Sequence, residues 1–293
     1  MHPIHHLNGM HFFKRTTMKK VFSLIGISLF LLNIYSEAQT TDSSEQQGIK
    51  LKLSLNYNSG LNYYGRTDSL KSTGLFPLAE VWFSPKVYIN AAPVFVNNKL
   101  QTMQYAGSVA SIGYLDVSSK WISNLYFLKP FYTENSDLVQ SALKAQAGAS
   151  FTALGKGINF SFGGDIKYSD QFDFGAMAGV DHIFRFENKD NSIIVLDPSF
   201  TANGGTQNFS KTYKRNIGGL LPREQQVTES YKKFNMLSLE ASMPFIYSKN
   251  KIMVIVTPAY VLPQNLVKVD NRPDLTEIGE NIFYTTIAIK YTL

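Results

Sequence analysis

The chain of 293 residues contains no cysteine, which excludes a disulfide scaffold, a thiolate metal site and a lipid anchor on cysteine. Charge is scarce: Asp, Glu, Lys and Arg together make up 17%, against about 25% in soluble domains. Histidine is nearly confined to the start, with His2, His5, His6 and His11 in the first 11 residues and only His182 beyond them. HExxH, CxxC, an EF-hand loop and a phosphate-binding glycine loop are all missing. No metal or cofactor is therefore expected, and no catalytic residue is assigned. There is one long apolar run, Val21 to Tyr35; a bundle of transmembrane helices would need several runs of about 20 apolar residues.

That run follows Lys19 and Lys20 and ends in Ser36, Glu37, Ala38 and Gln39. A basic start, a short apolar centre and a small-x-small end read as a secretory signal peptide over 18–38, with Met18 as the start. Residues 1–17 then form an N-terminal extension that is not native to the export signal, and 39–47 a polar linker. Four of the 28 basic residues and one of the 22 acidic ones precede residue 39. The mature chain keeps 24 against 21, a net charge of +3 rather than +6. Most of the basicity is leader, so a nucleic-acid partner is not expected.

What the mature chain has is alternation. Ile49, Leu51, Leu53, Leu55 and Tyr57 share one face of a strand, with Lys50, Lys52, Ser54, Asn56 and Asn58 on the other. The same period of two runs through 143–152, 158–169, 172–186 and 283–293. Residues 86–97, 105–119 and 251–263 are apolar on both faces and cannot be phased from the pattern. Tyr and Phe are abundant, 16 and 21 respectively. Pairs such as Trp82/Phe83, Phe184/Phe186 and Phe283/Tyr284 mark strand ends.

Connections alternate between tight and long. Tight turns fall at 84–86, 118–120, 155–157, 188–191 and 248–250, and longer connections at 59–73, 97–104, 132–138, 169–172, 204–233 and 265–280. Segment counting gives about twelve strands (10–14), each near the 9–11 residues of a tilted membrane-crossing strand. An even count puts both ends on the side of the tight turns. A soluble sandwich or lipocalin-like barrel would alternate in the same way. It would not carry so much Gly, Ser, Thr and Asn on the polar face, nor so little charge.

Signal peptide, alternating strands, turn rhythm and an aromatic last strand (Phe283 to Leu293, with Tyr291) together make residues 48–293 resemble a Gram-negative outer-membrane β-barrel. The Ala38-Gln39 boundary is similar to that of Bacteroidota exported proteins. The resemblance implies an up-and-down antiparallel barrel in the outer membrane with periplasmic termini. It also implies assembly by the barrel-assembly machinery and contact with outer-membrane lipids including lipopolysaccharide. No subfamily motif, and hence no activity, comes with it.

With the apolar face outward, the lumen receives Lys50, Lys52, Glu80, Lys144, Asp165, Lys167, Asp181, Arg185, Asp197, Glu240 and Lys290. Both signs are present, which argues against strong ion selectivity. With the first long loop centred near Arg66, Lys52 falls opposite Glu80. The turn near Asp190 brings Asp181 toward Asp197 or Ser199, with Arg185 nearer the turn. Closure of the first strand on the last gathers Lys50, Lys52 and Lys290. These charges read either as ion pairs stiffening a narrow barrel or as a selective lining; about twelve strands lies between filled and water-bearing barrels. His182 shares the outward face with Val180 and Phe184 and is expected at the membrane interface rather than as a base. The longest loop carries Lys211, Lys214, Arg215, Arg223, Lys232 and Lys233 against Glu224 and Glu229. It is expected to form the constriction or gate of a passive channel for small solutes, or to bind a surface partner or lipid on a closed barrel.

Overall fold

The computed structural model describes residues 48–67, 70–132, 143–169, 171–217, 223–266 and 279–293, with side chains described outside 207–232. The extension, the signal peptide and the linker lie outside the described residues. Seventeen strands follow one another: β1 (Lys50–Asn58), β2 (Asn62–Tyr63), β3 (Arg66–Thr67), β4 (Thr73–Trp82), β5 (Val87–Asn97), β6 (Gln104–Val117), β7 (Trp121–Tyr132), β8 (Ala145–Ala153) and β9 (Asn159–Tyr168) come first. Then come β10 (Phe172–Asp181), β11 (Phe184–Glu187), β12 (Ile193–Leu196), β13 (Ser199–Ile217), β14 (Arg223–Ser242), β15 (Phe245–Lys249), β16 (Ile252–Pro263) and β17 (Ile282–Thr292).

Twelve of them close into one antiparallel barrel, in the circular order β1, β4 to β10, β13, β14, β16, β17 and back to β1. Of the other five, β2 and β3 form a separate two-stranded sheet, and β11, β12 and β15 continue β10, β13 and β14 toward one rim. The three interruptions fall at 182–183, 197–198 and 243–244. Pro198 and Pro244 stand at two of them and have no N–H to give the ladder. Their carbonyls still accept: Pro198 from His182 N at 3.2 Å and Pro244 from Asp197 N at 3.0 Å, while Pro258 accepts from Met243 N at 3.1 Å. The proline row thus offsets three neighbouring strands without leaving these donors unpaired.

The tight connections (83–86, 118–120, 154–158, 188–192 and 250–251) share one rim with both ends of the barrel. Lys52 pairs with Glu80 and with Thr292, as the alternation and the even count require.

Outward positions form an apolar band with Leu53, Leu55, Ile112, Leu125, Phe162, Ile166, Phe200 and Ile289 exposed. Phe83, Trp121, Phe184, Phe186 and Tyr291 stand at its short-turn edge and Phe131, Phe172, Phe234 and Phe283 at the other. Trp82 does not belong to this edge. It is buried in the interior, its ring 4.7 Å from that of Tyr88, because it shares the parity of Glu80.

The segments that are apolar on both faces find their explanation here. Their inner faces pack on one another inside the barrel, in clusters built around Val94, Val96, Val109 and Leu128, around Trp82, Tyr88, Leu115 and Ile122, and around Val195, Ile246, Ile255 and Ala288. Each such side chain contributes about 1.5–3 kcal/mol on burial.

The stretch 204–233, expected as a loop, is a β-ribbon over its described residues 204–217 and 223–233. After one bulge at Asn203/Gly204 the pairing of β13 with β14 runs on to Ile217↔Arg223, well past the last β10 partner at Gly205 and the last β16 partner at Ser238. The two strands continue alone for about 35 Å at 3.2–3.4 Å per residue. Phe209, Tyr213, Val227 and Tyr231 alternate with polar residues in this stretch, a pattern that favours strand over coil.

Candidate lumen constriction

After β1, residues 62–67 form a small hairpin at the mouth of the barrel. Asn62 pairs with Thr67 and Tyr63 with Arg66, leaving Tyr64 and Gly65 as a two-residue turn with φ of 53° and 77°. Positive φ at both positions is the turn whose twist suits a hairpin, and glycine meets that demand without steric cost. Gly65 is fixed twice over, since a Cβ there would come within 2.8 Å of Pro263. Asn62 Oδ1 accepts from Gly65 N at 3.1 Å and closes the turn.

The hairpin is tied to opposite parts of the wall. On one side Leu61 is buried in the cluster with Phe76, Val94 and Leu128. On the other, Arg66 is buried and fans its guanidinium over three carbonyls: Nη1 donates to Tyr64 O (3.1 Å) and Leu237 O (3.0 Å), and Nη2 to Gln264 O (3.0 Å). Glu280 N donates to Gly65 O at 3.2 Å. The planar fork matches several acceptors at once, which a lysine could not do. Between these anchors Tyr64 lies across the lumen, its ring 4.5 Å from Tyr63. Burial, and then the proximity of Tyr63, Asp165, Tyr126 and Glu240, hold the Tyr64 phenol well above its ordinary range. Tyr63 is its neighbour within the hairpin, and Asp165, Tyr126 and Glu240 belong to β9, β7 and β14.

The interior is lopsided. Inward residues of β1, β4 to β7, β16 and β17 are mostly buried, among them Asn56, Phe76, Leu78, Trp82, Val96, Gly113, Ile255 and Val261. Inward residues of β8, β9, β10, β13 and β14 are mixed: Gly148, Ser150, Thr152, Ser161, Gly163, Gly175, Gly179, Ser199, Thr201 and Ser242 are small or polar and half-buried, Met177 is apolar, and Gln146, Asn159, Lys167 and Ser238 are buried. The polar lumen expected from the alternation is thus limited to part of the wall. Polar surface remains accessible along one half of the barrel, and apolar packing with buried polar groups fills the other.

The charges expected in the lumen separate accordingly. Glu80 and Lys290 are buried on the packed half and lie 3.7 Å apart. Lys52 is beside them, its ammonium 4.4 Å from the Trp82 ring, and Lys50 follows nearer the rim on the same parity. Asp165 and Lys167 pair with each other on β9, both side chains largely buried. Asp181 accepts from Asn159 Nδ2 at 2.6 Å, and Asp197, wholly buried, is its neighbour. Glu240 accepts from Tyr284 Oη at 3.2 Å. Arg185, expected in the lumen, lies beyond the strand interruption, exposed at the rim, and bonds Glu187 at 2.9 Å.

Lys144 is not in the lumen. It precedes β8 by one residue, where Leu143 takes the inward place, and its exposed ammonium stands 5.6 Å from the outward ring of Tyr168. His182 keeps the outward parity, its Nδ1 against Gly157 O and its ring edge-on to Phe184 at 4.1 Å. In the basic set of the ribbon, Lys233 is exposed; Lys211, Lys214, Arg215, Arg223 and Lys232 fall outside the described side chains.

The alternation does not disclose Arg66 or Tyr64. A weak local signal exists, an Asn62 placed to close a Tyr-Gly turn, but the partners of Arg66 lie 171 and 198 residues away.

No protein-family model and no curated protein matches the chain. Solved structures of similar fold include the NanC porin (12% identity, TM-score 0.41, 83% of this chain and 100% of that one). An outer-membrane channel from Pseudomonas putida F1 shows 8% identity and a TM-score of 0.47, over 87% and 98% of the two chains. LpxR from Salmonella typhimurium shows 10% identity and a TM-score of 0.31, over 83% and 99%.

Proposed function

We propose that the protein sits in the outer membrane of a Gram-negative cell, with its termini on the periplasmic side, and passes small polar solutes passively along the accessible half of its lumen. The hairpin at 62–67 is the constriction. One observation carries this reading: half-buried, small and polar inward positions recur on β8, β9, β10, β13 and β14, opposite a wall whose side chains are packed. A barrel built only to be rigid would fill both halves. The outward apolar band with aromatic edges supports placement in a bilayer. Liposome swelling tests the reading. Refolded protein should admit solutes the size of small sugars and amino acids and exclude larger oligosaccharides, and deleting Asn62–Thr67 should raise the size limit. Vesicles that stay impermeable with both proteins, each shown to be folded by a heat-modifiable gel shift, would refute it.

A second reading rests on the ribbon of β13 and β14, which runs past its neighbours and carries Lys211, Lys214 and Arg215. It would serve as a contact surface for lipopolysaccharide or another acidic surface partner. Removing 207–232 should abolish that binding and leave solute passage intact.

A further inference from the structure

At the break that divides β12 from β13 the chain reads Leu196-Asp197-Pro198-Ser199. Asp197 keeps the inward parity of Val195 and Ser199, and its backbone N–H donates to Pro244 O at 3.0 Å. Pro198, next along, has no N–H to offer a side chain. The Asp197 carboxyl is fully buried, and neither of its oxygens meets a donor. Its neighbour is a second carboxyl group, that of Asp181 on β10. Asp181 accepts from Asn159 Nδ2 at 2.6 Å, and the amide is aimed by Gly155 N, which donates to Asn159 Oδ1 at 3.1 Å. The register sets Ser199 opposite Asp181 and Ser242 opposite Ser199, and those two hydroxyls bond each other at 2.7 Å. Asn159, Asp181, Asp197, Ser199 and Ser242 all lie on the inward face.

A buried carboxylate persists only if it is paired, holds a metal ion or takes up a proton. One proton shared between the two carboxyls would serve a single oxygen of Asp197 and leave the other bare. A cation lodged between the two side chains would engage both. We propose that Asp181 and Asp197 form a binding site for a divalent cation, with Ca²⁺ as the ion that suits it. The donors are hard oxygens on separate strands, in an irregular arrangement that Ca²⁺ tolerates and Mg²⁺, with its demand for a near-ideal octahedron, does not. Ser199, beside Asp181 in register, is placed to add a neutral oxygen. Asp181 is half-buried on the accessible wall, so the ion enters from the lumen side and completes its shell with water. Two carboxylates rather than three or four put the affinity at the weak end of calcium sites, a Kd of about 10⁻⁴–10⁻³ M. The bound ion would tie β10 to the offset between β12 and β13, a role that stands whether or not the lumen conducts.

Isothermal titration of CaCl₂ into EDTA-treated protein, refolded in detergent free of lipopolysaccharide, is the test. The intact protein should bind one ion per chain. Asp197→Asn and Asp181→Asn should each weaken binding at least tenfold, whereas Glu240→Gln, a lumen carboxylate bonded by Tyr284, should leave it unchanged. If Asp197→Asn does not fold, as judged by the heat-modifiable gel shift, Asp181→Asn at its half-buried position carries the comparison. Folded intact protein that binds no Ca²⁺ overturns the site and leaves a shared proton to neutralise the pair. Binding that neither substitution weakens puts the ion elsewhere and overturns it as well.

Discussion

Replacing Arg66 with alanine asks whether the first hairpin is latched across the mouth by its guanidinium. Two of its three hydrogen bonds, to Leu237 O and Gln264 O at 3.0 Å each, join the hairpin to the wall; the third is internal. A hydrogen bond to a charged group is worth about 1.5–3 kcal/mol net, so the pair holds the hairpin by about 3–6 kcal/mol. At the mouth, water can reach the freed carbonyls, which favours the lower end. A loss of about 3 kcal/mol raises the undocked fraction by about two orders of magnitude. The cysteine-free chain offers a clean reporter. Thr67 is 7% exposed in the docked hairpin, so a single Thr67→Cys should react slowly with a maleimide, and much faster once Arg66→Ala is added. Arg66→Lys should fall between, because one ammonium cannot span both carbonyls. Equal labelling rates with and without Arg66 would refute the latch.

Three further outcomes follow from the packing. Glu80→Ala removes the carboxylate 3.7 Å from the buried Lys290 and beside the half-buried Lys52 and should cost about 3–5 kcal/mol, read as a lower urea midpoint; an unchanged midpoint would mean that the cluster is hydrated. Gly148→Val would drive a Cβ to 2.5 Å from the Tyr126 ring and should cost about 1–3 kcal/mol by overpacking. Gly157→Ala, which meets nothing within 4 Å, should be neutral in the same assay. Ser150→Trp, on the accessible wall, should block solute entry into liposomes with folding intact, whereas Ala149→Trp, one residue earlier and facing outward, should not; equal permeability of the two would count against a path along β8.

Much of this architecture is legible in period-two pattern alone. The parity of β1, the Lys52–Glu80 register, the pairing of first with last strand and the five tight turns all depend on neighbours in sequence or on closure of an even barrel. Where the pattern failed, a longer-range cause won. Residues 86–97, 105–119 and 251–263 cannot be phased locally because their inner faces are apolar too, packed against side chains from distant strands. Trp82 was readable from its parity with Glu80, but an aromatic at a strand end points more readily to an interface. Lys144 kept the strand's parity on paper and lost it because β8 begins one residue later. The ribbon at 204–233 carried strand alternation beneath a polar, loop-like composition. The hairpin at 62–67 shows the deepest limit: the long stretch reads as the gate in sequence, while the bonds that hold the short hairpin to the wall, from Arg66 to Leu237 and Gln264, are encoded by no local pattern.

Single-channel recording in a planar bilayer, comparing the intact protein with a variant lacking Asn62–Thr67, bears most directly on the central claim. Small, reproducible conductance steps that grow several-fold on deletion are the predicted result. Identical steps from the two proteins would contradict the hairpin as constriction, and silence from both, with each shown to be folded, would contradict a conducting lumen.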